Sequence, residues 1–360
     1  MDRVYNFNPG PSALPLPVLE KARSTFLNYE STGMSVLEMS HRSQEFEEII
    51  HSAEALFKEL AGVGDDYRVL FLQGGASLQF SMIPLNFIGN KSADYVLTGQ
   101  FAEKAYEEAR KIAEIRVAAT TADRNFSEIP RQADLELDRN AAYLHITTNN
   151  TIFGTEWHYI PETYGVPLIA DMSSDIFSRP LDYNKFALVY AGAQKNLGPA
   201  GVTVVLIRKE LLEHVPPSLP SMLRYDVYAK NDSLYNTPPT FSIYLLRLML
   251  EWLKEKGGLA YIGKYNAEKS TVVYQGIDSS NDFYQGHARQ DSRSLMNITF
   301  RLPTTELEKQ FLAQAAEAKL VGLKGHRSVG GIRASVYNAM SSEGCEKLAE
   351  FMETFRKRHG

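Results

Sequence analysis

The sequence predicts an α/β protein, a large domain built on a mostly parallel sheet covered by helices and followed by a smaller α+β C-terminal domain. Three observations carry this. Short β-rich runs alternate with helical stretches from about residue 67 to residue 207. Several of those runs are apolar on both parities, as strands buried on both faces are. After Gly263 the order changes to helix, strand, helix, strand, helix. The expected divisions are an N-terminal arm over residues 1–15, a large domain over 16–260 and a small domain over 261–360.

The elements follow in order. Pro9, Gly10, Pro11, Pro15 and Pro17 predict an extended arm that ends where a helix begins near Val18. Ser43 to Leu60 has the apolar spacing of a helix, an acidic first turn and Gly62 as its stop. Tyr67–Leu72 reads as a strand, followed by Gly74-Gly75 and a helix through Phe80. Asp94–Leu97 is the next strand and Ala102–Ile112 the next helix. Ile115–Ala119, Tyr143–Thr147, Pro167–Asp171, Leu188–Tyr190 and Thr203–Ile207 are further strands. A long helix fills Ser242–Gly257. Beyond it, strands at Leu295–Phe300 and Ile332–Tyr337 alternate with helices at Thr305–Leu320 and Glu343–Arg356.

Composition narrows the function classes. A length of 360 residues suits about two domains. With 44% hydrophobic and 22% charged residues the chain carries too much apolar surface to stay disordered. A net charge of −5 argues against a nucleic acid or an anionic membrane as partner. The one cysteine, Cys345, can form neither an intrachain disulfide nor a multi-cysteine zinc site, and no metal is expected. The opening MDRVYNFNPGPSALP lacks the apolar core of a secretory signal. Ile243–Leu253 is interrupted by Arg247 and Glu251, so a cytoplasmic protein is expected.

In open α/β sheets chemistry collects beyond the carboxyl ends of the strands. Asp171 follows one strand and Lys195 follows the next, 24 residues later. Gln-Gly-Gly-Ala-Ser follows Tyr67–Leu72 and leads into a helix, which puts backbone N–H groups and the Ser77 hydroxyl at an anion-binding helix N-terminus. A lysine for a Schiff base, a carboxylate to keep a pyridine nitrogen protonated and a phosphate cradle are together the parts of a pyridoxal 5'-phosphate site. Singly each has a plainer reading as a solvated lysine, a helix cap or a βα turn. The usual nucleotide loops are absent from the sequence.

Ala191–Gly201 (AGAQKNLGPAG) resembles the lysine segment of the phosphoserine aminotransferases, a group of the class-V aminotransferase family. Phe7–Pro15, Ser40–Phe46, Ala170–Asp175, Tyr235–Tyr244 and Gly331–Ala339 resemble that group's other motifs, in order, from residue 5 to about 356. The resemblance implies the aspartate-aminotransferase-like fold (fold type I), pyridoxal 5'-phosphate, a homodimer with shared sites, and amino transfer between glutamate and 3-phosphohydroxypyruvate in serine biosynthesis. It also implies the 4-phosphohydroxythreonine of vitamin B6 synthesis as a related substrate. By the same resemblance Lys195 is the Schiff-base lysine and Asp171 the pyridinium partner. Ala76, Ser77 and Gln194 bind the cofactor phosphate, joined by Asn236 and Thr237 from the neighbouring subunit. Thr151 meets the ring hydroxyl and Phe101 stacks on the ring. Two positions depart from common relatives: Phe101 stands where tryptophan is frequent, and Ser77 where an arginine is found.

Charge argues the substrate side. Glutamate carries two carboxylates and the keto acid a carboxylate and a phosphate, so one fixed and one adaptable anion clamp are required. Arginine suits the fixed clamp because its planar fork matches a carboxylate. Arg333 resembles that residue, and His41, Arg42, His326 and Arg327 resemble the distal cluster, with His41 and Arg327 as candidates to act across the interface. His145, His158, His214, Trp157 and Trp252 read as structural. The competing readings are an aminotransferase for unphosphorylated substrates of the alanine–glyoxylate type and a non-catalytic cofactor-binding protein on the same fold.

Overall fold

The computed structural model of the chain describes residues 3–360, so the first two residues of the expected arm lie outside the described residues. Seven strands form the central sheet: β1 (Tyr67–Leu72), β2 (Ala93–Leu97), β3 (Ile115–Thr120), β4 (Leu144–Thr147), β5 (Leu168–Asp171), β6 (Leu188–Gly192) and β7 (Thr203–Arg208). Their spatial order is β1-β7-β6-β5-β4-β2-β3. Only β7 runs antiparallel to its neighbours, β1 and β6. The other pairings are parallel, and the carboxyl ends of β1, β6, β5 and β4 therefore open on one edge. Both faces of β4 to β7 are buried, largely by Val, Ile, Leu and Ala, with His145, Thr147, Asp171 and Tyr190 among them, as strands sandwiched between helix layers require.

The helices obey their end signals. Gln44–Ala61 starts at Ser43, whose hydroxyl accepts from the Phe46 N–H, and stops at Gly62 in the left-handed region (φ +64°). Its face of Phe46, Ile49, Ile50, Ala53 and Phe57 is buried against helix Thr240–Glu255. The helix after β1 continues to Phe87, past the expected Phe80, because Pro84 does not end it and Gln79, Phe80, Met82 and Ile83 all find buried surroundings. Lys256 and Gly257 (φ +102° at Gly257) separate helices Thr240–Glu255 and Gly258–Asp278.

The C-terminal part holds a three-stranded antiparallel sheet of Gln285–Gly286, Asn297–Arg301 and Ile332–Ser335, covered by Thr305–Glu317 and Ser342–His359. The expected extended arm contributes to this region. Tyr5–Asn6 pairs in parallel with Leu320–Val321, and Phe7 is fully buried in the C-terminal core. A buried polar web joins the C-terminal sheet to a two-stranded ribbon, Asn149–Asn150 with Thr155–Glu156, that follows β4: Asn149 Nδ2 donates to Asn297 Oδ1 at 2.8 Å, Ser294 Oγ to Asn149 Oδ1 at 2.6 Å, and the Leu295 N–H to Glu156 Oε2 at 2.7 Å. Leaving any of these groups unpaired would cost about 1–3 kcal/mol, so the web ties the C-terminal sheet to the ribbon beyond β4. No helix among the described residues is long and apolar enough to cross a membrane.

Candidate active site

Lys195 stands just past β6, half-buried, with its Nζ 5.2 Å from the centroid of the Phe101 ring. Burial holds its amine below the usual lysine range. Arg333 pushes the same way, while Asp171 and Asp175 oppose it. The arm fixes the lysine's main chain: Ser12 Oγ donates to the Lys195 carbonyl at 2.6 Å and the Ser12 N–H to the Gln194 carbonyl at 3.0 Å. A Cβ on Gly10 would approach Lys195 Cγ to 3.2 Å, so a glycine lets the arm lie on the lysine stem.

Asp171 ends β5 and is buried, with Oδ1 accepting from the Ser173 N–H at 2.9 Å. Thr148, after β4, donates to the Asp171 carbonyl and to Asp175 Oδ1. Burial and the neighbouring Glu156 push the Asp175 carboxyl up to about 7. Gly74 caps the helix that follows β1 in the left-handed region (φ +90°), where a Cβ would strike Leu78 at 2.5 Å. Free N–H groups of that helix's first turn, at Gly75, Ala76 and Ser77, lie on the same sheet edge as Lys195 and Asp171. Gln194 folds back on Gly192, where a Cβ would meet Gln194 Oε1 at 2.6 Å. Asn236 and Thr237 meet Gln73 of their own chain: Asn236 Nδ2 donates to Gln73 Oε1 at 3.4 Å and Gln73 Nε2 to the Thr237 carbonyl at 3.1 Å. Within one chain they therefore flank the glycine turn.

Arg333 lies on the C-terminal sheet and is 7% exposed. Its Nη1 donates to the Thr151 carbonyl at 3.1 Å, and its Nε has no hydrogen-bond partner among the described residues. Burial lowers its pKa from the usual arginine value. A buried guanidinium with an unused donor and no described carboxylate is a built receptor for an anion. It lines a cavity of about 310 Å³ with His326, His287, Arg301 and Thr299. Burial and the charges of Arg333, Arg327 and Lys104 hold His326 below the usual imidazole range. Arg327 is exposed on the same loop, and His41 and Arg42, which precede helix Gln44–Ala61, do not line this cavity. One chain thus brings Lys195, Phe101, Asp171, Thr151, Arg333 and His326 together and leaves His41 and Arg42 outside.

Residue reasoning missed several members. Ser12, Thr148 and Asp175 act on the site through main-chain or second carboxylate contacts, and no spacing in the sequence announces them. The register of β5 against β6 could have exposed Tyr190, which lies directly opposite Asp171.

Known proteins fit this geometry. Residues 4–348 match the family described as aminotransferase class-V. The chain belongs to the class-V aminotransferases. It is 58% identical over 358 residues to the phosphoserine aminotransferase of Herpetosiphon aurantiacus, covering 99% of each chain. Identity with that of Bacillus subtilis is 54% over 360 residues, covering both chains completely. Among solved structures, the phosphoserine aminotransferase of Bacillus circulans subsp. alkalophilus superposes with a TM-score of 0.98 at 53% identity over the whole of both chains. The pyridoxal-phosphate-bound enzyme of Trichomonas vaginalis does so at 0.93 and 39%, over 98% of this chain and 100% of that one. The chain is accordingly a pyridoxal-phosphate-dependent aminotransferase of fold type I.

Proposed function

We propose that the enzyme moves the amino group of glutamate to 3-phosphohydroxypyruvate, giving phosphoserine and 2-oxoglutarate for serine biosynthesis. It works as a cytoplasmic homodimer on small molecules and accepts the phosphohydroxythreonine pair as a related substrate. The observation that carries the reading is the buried Arg333 guanidinium with an unused Nε, in one cavity with His326 and close enough to Lys195 to depress its pKa. The names of the full-length relatives support the substrate pair.

When bound, pyridoxal 5'-phosphate supplies an electron sink for charge developing at the substrate α-carbon. The residues present fit that group. Lys195, whose amine burial holds below the usual lysine range, would be the covalent anchor and would then carry the proton taken from the α-carbon. Phe101 offers a flat apolar face beneath the Lys195 Nζ. Asp171, whose Oδ1 accepts from the Ser173 N–H, would hold a proton at the pyridine nitrogen. Ala76, Ser77 and Gln194, with Asn236 and Thr237 of the other subunit, hold the phosphate. Thr151 would meet the ring hydroxyl. Arg333 grips the substrate α-carboxylate, and His41, Arg42, His326 and Arg327 accept either a phosphate or a γ-carboxylate at the far end.

The test is an absorbance titration of the purified yellow enzyme. Glutamate should bleach it and 3-phosphohydroxypyruvate should restore the colour. Recovery with unphosphorylated keto acids alone would leave the chemistry standing and reject the distal clamp. A spectrum unmoved by any amino donor would reject amino transfer.

A further inference from the structure

Behind Asp171 lies a buried polar chain that the reaction above does not use. Tyr190, on β6, is directly across from Asp171 on β5, so both side chains project from the same face of the sheet. Burial holds the Tyr190 hydroxyl protonated, and the charge of the Asp171 carboxylate beside it works in the same direction. His145, on β4, places its Nε2 3.0 Å from the Tyr190 hydroxyl. The rings of His145 and Tyr95 stack at 4.7 Å with planes 16° apart. Tyr190 is 0% exposed and His145 1% exposed.

The direction of these bonds follows from what His145 lacks. Its Nδ1 is buried with no hydrogen-bond partner among the described residues. Burial pushes the imidazole down to about 3, so the ring is neutral and carries one proton. A proton on Nδ1 would be an orphaned buried donor, whereas a proton on Nε2 has the Tyr190 oxygen to bond. The arrangement that pairs every donor is His145 Nε2–H to the Tyr190 oxygen, and the Tyr190 O–H to the Asp171 carboxylate. The groups facing Tyr190 are Asp171, Tyr95, Tyr225 and His145, and none of them competes as a cation.

We propose that Tyr190 and His145 are positioning residues for Asp171: a one-way chain of donors that holds the carboxylate in one rotamer, with a lone pair left for the pyridine nitrogen. This rests on the reading of Asp171 as the pyridine partner. A carboxylate that already accepts from Tyr190 and from the Ser173 N–H is oriented before the cofactor arrives. It also pulls less on the shared proton, which stays on the ring. Removing the Tyr190 donor lets that proton drift to Asp171. The ring then loses positive charge, and the lysine–cofactor linkage becomes easier to protonate.

The experiment compares wild type with Tyr190→Phe, His145→Gln, His145→Leu and Asp171→Ala. It measures cofactor affinity of the apoprotein, the pH midpoint of the visible absorbance of the reconstituted enzyme, kcat and KM for the glutamate half-reaction, and apoprotein Tm. Tyr190→Phe is expected to weaken cofactor binding and lower kcat by roughly tenfold each, with KM little changed, and to raise the absorbance midpoint. His145→Leu should shift the midpoint in the same direction by less. His145→Gln, whose amide can present a donor where Nε2 stood, should return it towards wild type. A Tyr190→Phe enzyme with an unmoved midpoint and unmoved affinity overturns the proposal, whether or not its Tm falls, provided Asp171→Ala moves both. If Asp171→Ala moves neither, the assignment of Asp171 itself fails and the proposal falls with it.

Discussion

Lys195 and Asp171 stand at the ends of neighbouring strands in a sheet buried on both faces, while Arg327 and Arg42 stand on exposed loops. At the cofactor end each group has a fixed support: the arm on the Lys195 carbonyl, Ser173 on Asp171, and Thr148 on the Asp171 carbonyl. At the distal end Arg333 and His326 share a cavity, Arg327 reaches out from the loop, and His41 and Arg42 lie elsewhere on the chain. The contrast matches the chemistry proposed for each end. Proton transfer at one carbon needs groups held to a fraction of an ångström. A clamp that receives a phosphate in one half-reaction and a carboxylate in the other needs charge on side chains that can move.

Substitutions test this contrast, and the largest effect belongs to the buried end. Lys195→Ala should lower transamination by roughly 10⁴-fold or more, because anchor and proton carrier are one group. The variant should still take up cofactor weakly, seen as a spectrum that amino donors no longer convert. Normal turnover in it would break the assignment of the two ends altogether.

Arg327→Ala should raise KM for the phosphorylated keto acid by roughly tenfold, the loss of one charge-assisted contact, and leave the slow half-reaction with alanine unchanged. Equal losses with both substrates would mean that the two ends do not divide the work.

A third test asks whether the distal clamp is completed by a second copy. Co-expressing Arg42→Ala with Lys195→Ala chains should restore roughly a quarter of wild-type activity if Arg42 acts across the interface. Half of the dimers are then mixed, and each mixed dimer holds one site with both residues. Activity no higher than the sum of the two variants alone would put Arg42 in the same site as its own Lys195.

The smallest effect is one of pH. Burial and three neighbouring cations hold His326 below the ordinary imidazole range. Its charged form is therefore disfavoured near neutral pH and gains ground as the pH falls. KM for the phosphorylated substrate, relative to KM for alanine, should fall a few-fold on acidification below about pH 6.5. The same ratio measured in His326→Asn removes the substrate's own titration from the comparison, and an identical pH profile there would show that His326 takes no part.

Much of the cofactor end was legible in the residues. The apolar strands ending in Asp171 and leading into Lys195, and the glycine turn at Gly74-Gly75, give their positions from local pattern alone, because strand ends and helix starts are set by neighbours in sequence. The distal end was legible only through family resemblance. Arg42 and Arg327 are 285 residues apart, carry no periodicity and sit in loops, so nothing local links them. Other features were hidden for the same reason. Tyr5–Asn6 became a strand because Leu320–Val321 offered an edge to pair with, and Pro84 stayed inside a helix because the surrounding side chains are buried.

The sequence by itself determined the alternation of strands and helices, the capping of Gln44–Ala61 by Ser43 and Gly62, and the lysine, carboxylate and glycine turn at successive strand ends. These depend on hydrophobic period, backbone freedom and end-group hydrogen bonds, all of which act over a few residues. Tertiary structure alone decided that β7 runs antiparallel between β1 and β6, that Tyr190 stands across from Asp171, and that Arg333 is buried with a donor unused. Those depend on strand register and on which charges lose water together. Both are set by contacts between distant segments, after the chain has closed around its core.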